Sequence, residues 1–336
     1  MSKIYINGLS CISPQPTLDT RFLTGTIVDS TTPYLQCQEP VYKTILSPTG
    51  IRRMGRLQKM SLVTAIHCLK DAGIDMPDAI VTGTGLGCLE DSEQFLTSII
   101  ENTEHAPLSP TSFIQSTHNT VSSQIAIHLK CTGPNYTYSQ RHFSFESALL
   151  DSILMIKDQS STTILLHSAD EMTPNIYEII HRMNIWPAPI GEGVSSLLLS
   201  SQQSSHSYAA IEFIKLHYGK MDATSILHWI QDCLALHEIT PDSIDVVIQG
   251  NYSVSLSSLI PDATYVQYKN YIGEYFTASA FAYWLGAYSI KNQQIPEHCI
   301  KTQGKETSVR TVLIYNQIDQ KYHSLALLVQ PESTQE

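Results

Sequence analysis

Two residues able to act as nucleophile or base stand close together in this chain, His142 and Ser144. The turn Gly133-Pro134-Asn135 leads into a β-prone run, Tyr136 to Tyr138. The apolar positions Phe145, Ala148, Leu149 and Ile153 then predict a helix. A strand, a tight bend and a buried helix hold one residue at the helix N-terminus, where unpaired amides and the dipole stabilise negative charge. His142 can be acylated there, and Ser144 can serve as a hydroxyl nucleophile with His142 as its base. Two residues apart at a helix start they point to different sides, and a Ser in that place is more often a cap. Chemistry and capping both remain open for the pair.

The elements that must hold these residues alternate between strand and helix. Strands are predicted at Lys3 to Asn7, Ala79 to Gly83, Thr163 to Ser168 and Gly191 to Leu199. A helix runs through Ala72 with Leu62, Val63, Ile66 and Leu69 on one face and Gly73 as its stop. Gly8 to Pro16 reads as a loop, residues 17–50 as a surface excursion, and Ser116 as the start of a helix ending at Leu129. His118 there reads as a hydrogen-bonded structural residue. Beyond a polar break at Gln202 to Ser207 the pattern recurs: strand Ala209 to Leu216, helix Ala223 to Leu236, strand Val246 to Gln249, helix Phe276 to Lys291, and strands near Val309 to Ile314 and Leu325 to Val329. This spacing argues for an α/β layered fold with buried sheets. The break divides the chain into halves at 1–202 and 203–336.

Composition narrows the function. Of 336 residues, 31 are acidic and 20 basic, a net charge of −11 that argues against nucleic acid or an anionic membrane as partner. Only 15% of residues are charged, which suggests that another subunit covers part of the surface. The 7 cysteines form no Cys-x-x-Cys pair and read as reduced thiols of a cytoplasmic protein, not as a disulfide framework or a metal site. No apolar run approaches the roughly 20 residues that span a bilayer, and no hydrophobic signal core follows Met1. Gly83-Thr84-Gly85-Leu86-Gly87 lacks both the phosphate-loop Lys and the dinucleotide spacing, so no cofactor is expected.

The stretch from Gly133 to Asp151 resembles the nucleophile turn of the ketosynthases of the thiolase superfamily. Their pattern is Gly-Pro-Asn, a short strand, Thr-Ala-Cys, then a helix with Ala six residues past the Cys. Counted on from Gly133, the Cys position holds His142, and Ala148 stands where the Ala is expected. Arg52-Arg53-Met54, Ala169-Asp170-Glu171 and Gly191-Glu192-Gly193 are similar to further family motifs. The resemblance runs from about residue 3 to 330. It implies a thiolase-like fold of two pseudo-duplicated halves in α-β-α-β-α layers.

Condensing enzymes of that family use a thiolate, two imidazoles and an orienting Lys. The imidazoles come from His-Gly-Thr after an apolar strand and from Lys-x-x-x-Gly-His. Here Asp245 to Gln249 matches that strand, but Gly250-Asn251-Tyr252 follows it. Lys269-Asn270-Tyr271-Ile272-Gly273-Glu274 keeps the Lys and the Gly and places Glu274 at the second His. The resemblance thus implies degenerate catalytic positions at His142, Gly250 and Glu274, with Lys269 retained. His142 and Glu274 are expected to approach each other near Lys269 as a self-satisfied polar cluster.

Inactive ketosynthase homologues, the chain-length factors, pair with an active ketosynthase and shape the tunnel in which the chain grows. Thr117-His118-Asn119-Thr120, Asn135 to Tyr138 and Phe143 to Asp151 look like the chain-length-factor-like proteins of aryl polyene and flexirubin-type pigment clusters. This implies a heterodimer with an active ketosynthase. In that fold the strand before the nucleophile turn lies at the dimer interface, so Phe113, Ile114, Tyr136, Tyr138 and Phe143 are the candidate anchors. An acidic acyl carrier protein would be recruited by the partner, not by this acidic chain. The alternative is a stand-alone acyl hydrolase, transferase or decarboxylase with a remodelled site built on His142 or Ser144.

Overall fold

The computed structural model describes residues 3–52, 54–102, 108, 110–186, 189–250, 254–305 and 308–332. In chain order the elements are β1 (Ile4–Ile12), α1 (Pro48–Ile51), α2 (Arg56–Ala72), β2 (Ala79–Gly83), α3 (Leu89–Glu101), α4 (Pro110–Gln115), α5 (Thr120–Leu129), β3 (Asn135–Tyr138), α6 (Ser144–Lys157), β4 (Thr163–Asp170), α7 (Pro174–Arg182), β5 (Gly193–Ser200), β6 (Ala209–Tyr218), α8 (Ala223–Leu236), β7 (Val246–Gln249), β8 (Thr264–Val266), α9 (Lys269–Ile272), α10 (Ser279–Asn292), β9 (Ile300–Thr302), β10 (Thr311–Ile318) and β11 (Tyr322–Val329).

The strands join in the order β3-β2-β4-β5-β1-β6-β11-β10-β7-β8-β9. In the first five, β2 pairs parallel with β3 and β4, and β5 pairs antiparallel with β4 and β1. The second set repeats this arrangement: β7 pairs parallel with β8 and β10, and β11 pairs antiparallel with β10 and β6. The two sets meet where Ile4, Tyr5 and Ile6 of β1 face Ile211, Ala210 and Ala209 of β6. The duplication, unreadable as a sequence repeat, is plain in strand order and direction.

Alternation along each strand sets the layers. In β4, Ile164 and Leu166 face a core shared with α6 and α10, while Leu165 faces α2 and α5. In β10, Val312 and Ile314 face that same central core, and Leu313 and Tyr315 face α8. The layers therefore run α2/α5, sheet, α6/α10, sheet, α8. A helix between two sheets must be apolar all round, and α10 is buried from Ser279 to Ala287 without a break. The sheets are covered on both faces, which is why their strands read as continuous apolar runs.

Several boundaries differ from the sequence reading. Residues 8–12 form strand instead of loop. Gly8 marks a close approach: a Cβ there would lie 2.5 Å from the Cys68 carbonyl of α2, and the pairing with β5 shifts register at this point. Helix α5 starts at Thr120, not Ser116, and α10 starts at Ser279, not Phe276. The three-residue strands β8 and β9 are too short to stand out as periodic patterns, and the nine-residue helix α7 is a further element the sequence reading lacks.

Candidate functional site

The bend between β3 and α6 is a single 3-10 turn, Arg141–Phe143, with Arg141 in the left-handed region at φ 52°. Ser144 is fully buried, and its Oγ accepts the amide of Gln140 at 2.9 Å, closing the bend. No hydrogen bond joins Ser144 to His142, so the two do not form a nucleophile–base pair.

His142 is 5% exposed and packs against three rings, with centroid distances of 4.8 Å to Phe276, 5.1 Å to Tyr322 and 6.0 Å to Trp186. Its Nε2 lies 3.5 Å from Oδ2 of Asp319, and its Nδ1 has no hydrogen-bond partner among the described residues. Burial, then the positive charges of Lys269 and Arg141, push its pKa down to about 3. The imidazole is therefore neutral at physiological pH, and the 3.5 Å approach to Asp319 is a polar contact, not an ion pair.

Lys269 sits at the start of α9 with its Nζ 2.6 Å from Oε2 of Glu274 and 2.9 Å from Oδ1 of Asn316. Both members of the pair are buried, and burial raises the Glu274 carboxyl against the lowering effect of Lys269. The expected cluster forms only in part: Glu274 pairs with Lys269, while the polar contact of His142 is Asp319. At Gly250 an added Cβ would collide with Oδ1 of Asn316 and lie 3.0 Å from Cε of Lys269. The space an imidazole would need is already taken. Asn251 and Tyr252 lie outside the described residues, as does Arg53.

The glycine motifs are explained by backbone crossing. Gly273, at φ 76°, approaches Gly191 so closely that a Cβ would lie 2.5 Å from the Gly191 amide. The strand-like bridge between Ile190 and Glu274 is made there, with Gly191 N–H donating to the Glu274 carbonyl at 3.0 Å. Between the two glycines of Gly191-Glu192-Gly193, Glu192 is fully buried. Arg56 donates to both its oxygens at 2.8 and 2.5 Å, and the Cys37 and Met172 amides at 2.8 and 2.9 Å. The turn at residues 83–87 also serves the fold. The Gly85 amide donates at 2.8 Å to Asp170, which also accepts from the Thr277 amide at 2.9 Å. Burial pushes the Asp170 carboxyl up to about 6.

One acid escaped the sequence reading. Glu146, one turn beyond His142, is fully buried between α6 and β11, where Oε1 accepts from Ser324 Oγ at 3.1 Å. Burial pushes its pKa up to about 7, against the lowering effects of hydrogen bonds and of Lys269. Nothing in the residue types separates it from the solvated glutamates, because a charge on a helix ordinarily marks its wet face.

Of the candidate interface residues, only Tyr136 and Tyr138 lie on the edge strand of the sheet. β3 is the terminal strand, with Tyr136 half exposed and Tyr138 partly buried. Phe113 and Ile114 of α4 are exposed, and Phe113 packs on Phe95 at 5.4 Å. Phe143 instead turns inward against Tyr322 at 5.1 Å. Among the described residues no group of three or more His, Cys, Asp or Glu is placed to hold a metal ion, and no helix is long and apolar enough to cross a membrane.

Residues 31–246 match the β-ketoacyl synthase N-terminal domain. No curated protein matches the sequence. The fold is similar to that of a β-ketoacyl synthase from Burkholderia phymatum STM815, with a TM-score of 0.78 at 13% identity over 99% of this chain and 100% of the other. It is also similar to a ketosynthase in complex with its chain length factor from Xenorhabdus doucetiae (0.78, 12%, 98% of each chain) and to the ishigamide ketosynthase/chain length factor (0.77, 15%, 98% and 99%). With a family match over well over half its length and a thiolase-like ketosynthase fold, the chain belongs to the β-ketoacyl synthase family.

Proposed function

We propose that this protein is a non-catalytic, chain-length-factor-like subunit that pairs with an active ketosynthase and shapes its acyl tunnel in polyketide biosynthesis of the aryl polyene or flexirubin type. The observation that carries the reading is the state of the three degenerate positions. His142 is a neutral imidazole enclosed by three rings, Glu274 is paired with Lys269, and the space beside Gly250 is filled by the side chains of Asn316 and Lys269. A condensation needs an activated nucleophile and donors aimed at a developing oxyanion. An imidazole walled in by rings and a lysine tied to a carboxylate offer neither.

Other observations support the pairing. Two of the structures with this fold are pairs of a ketosynthase and a chain length factor. The free edge of β3 with half-exposed Tyr136, and separately the exposed Phe113 and Ile114 of α4, are suited to burial against a partner. The partner would supply the thiolate and recruit the acyl carrier protein, and the shared interface would bury over roughly 2,000 Å². In this reading 1–202 and 203–336 are the two related halves of the subunit. Ser144 gives the alternative of a stand-alone acyl enzyme little support, because its Oγ is committed to the Gln140 amide.

Co-expression with the ketosynthase encoded nearest to it tests the proposal. A 1:1 complex is expected on sizing. A chain that purifies without the ketosynthase would count against it.

A further inference from the structure

Helix α6 is not fully enclosed by the two sheets. Leu150 and Leu154 on its outer face are exposed, and with Ile153 they border a groove of about 220 Å³ whose floor is Ile4 of β1 and Ile211 of β6. The rim is cationic, although the chain carries a net charge of −11. It holds Lys3, Lys157 and Lys215. Lys3 is paired with Glu332 at 2.6 Å, whereas neither Lys157 nor Lys215 has a salt-bridge partner among the described residues. Glu212, at the β6 bulge, is the one carboxylate among the groove's lining residues. The exposed face of α6 also continues toward the sheet edge. Helix α6 packs on β3, and burial followed by the neighbouring Asp151 carboxylate pushes the Tyr138 hydroxyl up to about 12.

We propose that this groove seats a segment of the partner ketosynthase carrying an apolar side chain flanked by carboxylates. The apolar group packs on Ile153 and Ile211, and the carboxylates meet Lys157 and Lys215. Two arguments on the molecule favour that occupant: Lys157 and Lys215 have no salt-bridge partner among the described residues, and helix α6, which walls the groove, also packs on the edge strand β3. The inference rests on the heterodimer reading and locates its second contact.

The test uses the co-expressed complex. Affinity is measured at low and moderate salt for wild type, K157E/K215E and K157R/K215R. Charge reversal is expected to weaken binding by at least about tenfold and to reverse the sign of these contacts' salt dependence, so that added salt relieves the loss, with the arginine variant close to wild type. Carbodiimide coupling should join Lys157 or Lys215 to an Asp or Glu of the ketosynthase. Equal affinity and salt dependence for all three proteins, without such a cross-link, would overturn this proposal and leave the heterodimer standing. Absence of any wild-type complex would overturn both. Self-association of the isolated chain that is lost in K157E/K215E would assign the groove to a second copy and overturn it as well.

Discussion

Lys269 and Glu274 face each other across the one-turn helix α9 as a buried ion pair, Nζ to Oε2 2.6 Å. Both charges are out of water, so each depends on the other. Glu274→Ala leaves Lys269 with Asn316 alone and is expected to lower stability by about 3–5 kcal/mol. Cys131→Ser, at a half-buried site in none of these networks, should stay within about 0.5 kcal/mol. Denaturant midpoints with unchanged slopes check both, and a neutral Glu274→Ala would mean that the pair is not holding this corner of the site.

The neutral state of His142 and the raised carboxyl of Glu146 bend the stability curve from opposite sides. His142 falls from 6.5 to about 3 on folding, so its contribution is complete above pH 6.5 and is lost as pH drops toward 3. Glu146 rises from 4.5 to about 7, so its contribution is complete below pH 4.5 and is lost as pH climbs through 7. His142→Phe should flatten the acid limb, and Glu146→Gln the limb between pH 5 and 8. Parallel curves for wild type and both variants would remove these two groups as the cause. The His142 ring signals should also show no titration between pH 5 and 8.

The crossing of Gly191 and Gly273 leaves no space for a methyl group. Gly273→Ala adds a Cβ at φ 76° and 2.5 Å from the Gly191 amide. A loss of more than about 1 kcal/mol is expected from the backbone conformation alone, with the clash adding to it. Thermal unfolding of Gly273→Ala beside Gly25→Ala is the comparison. Gly25 also has positive φ but open space around it, so equal losses would remove the crossing as the cause.

What could be read in advance followed from local spacing. His142 stands nine positions after Gly133 and Glu274 five positions after Lys269, so counting alone locates both. The contacts between them depend on distant segments that carry no motif. Asp319 reaches His142 from the tip of the β10–β11 hairpin, where Asp319 and Gln320 both take positive φ. The link from Arg56 to Glu192 joins two motifs that the sequence shows only separately. Gly8 read as a turn because a glycine kept small for helix packing leaves the same mark as one needed for a bend.

At the sheet edge, Tyr136→Asp places a charge at a half-exposed position of β3, and Tyr138→Asp places one where the ring also packs against the central core, so its folding is checked alongside. Either is expected to abolish co-purification with the ketosynthase and, with it, product formation. A variant that makes full-length product after losing the complex would refute the role proposed for this edge.

The most direct measurement is intact-protein mass spectrometry of both subunits after the co-purified pair is incubated with malonyl-loaded acyl carrier protein and a starter donor. The expected result is an acyl adduct on the ketosynthase alone, this chain at its unmodified mass, and no consumption of malonyl carrier when this chain is incubated by itself. An acyl adduct on His142 or Ser144, or turnover by the isolated chain, would contradict the account.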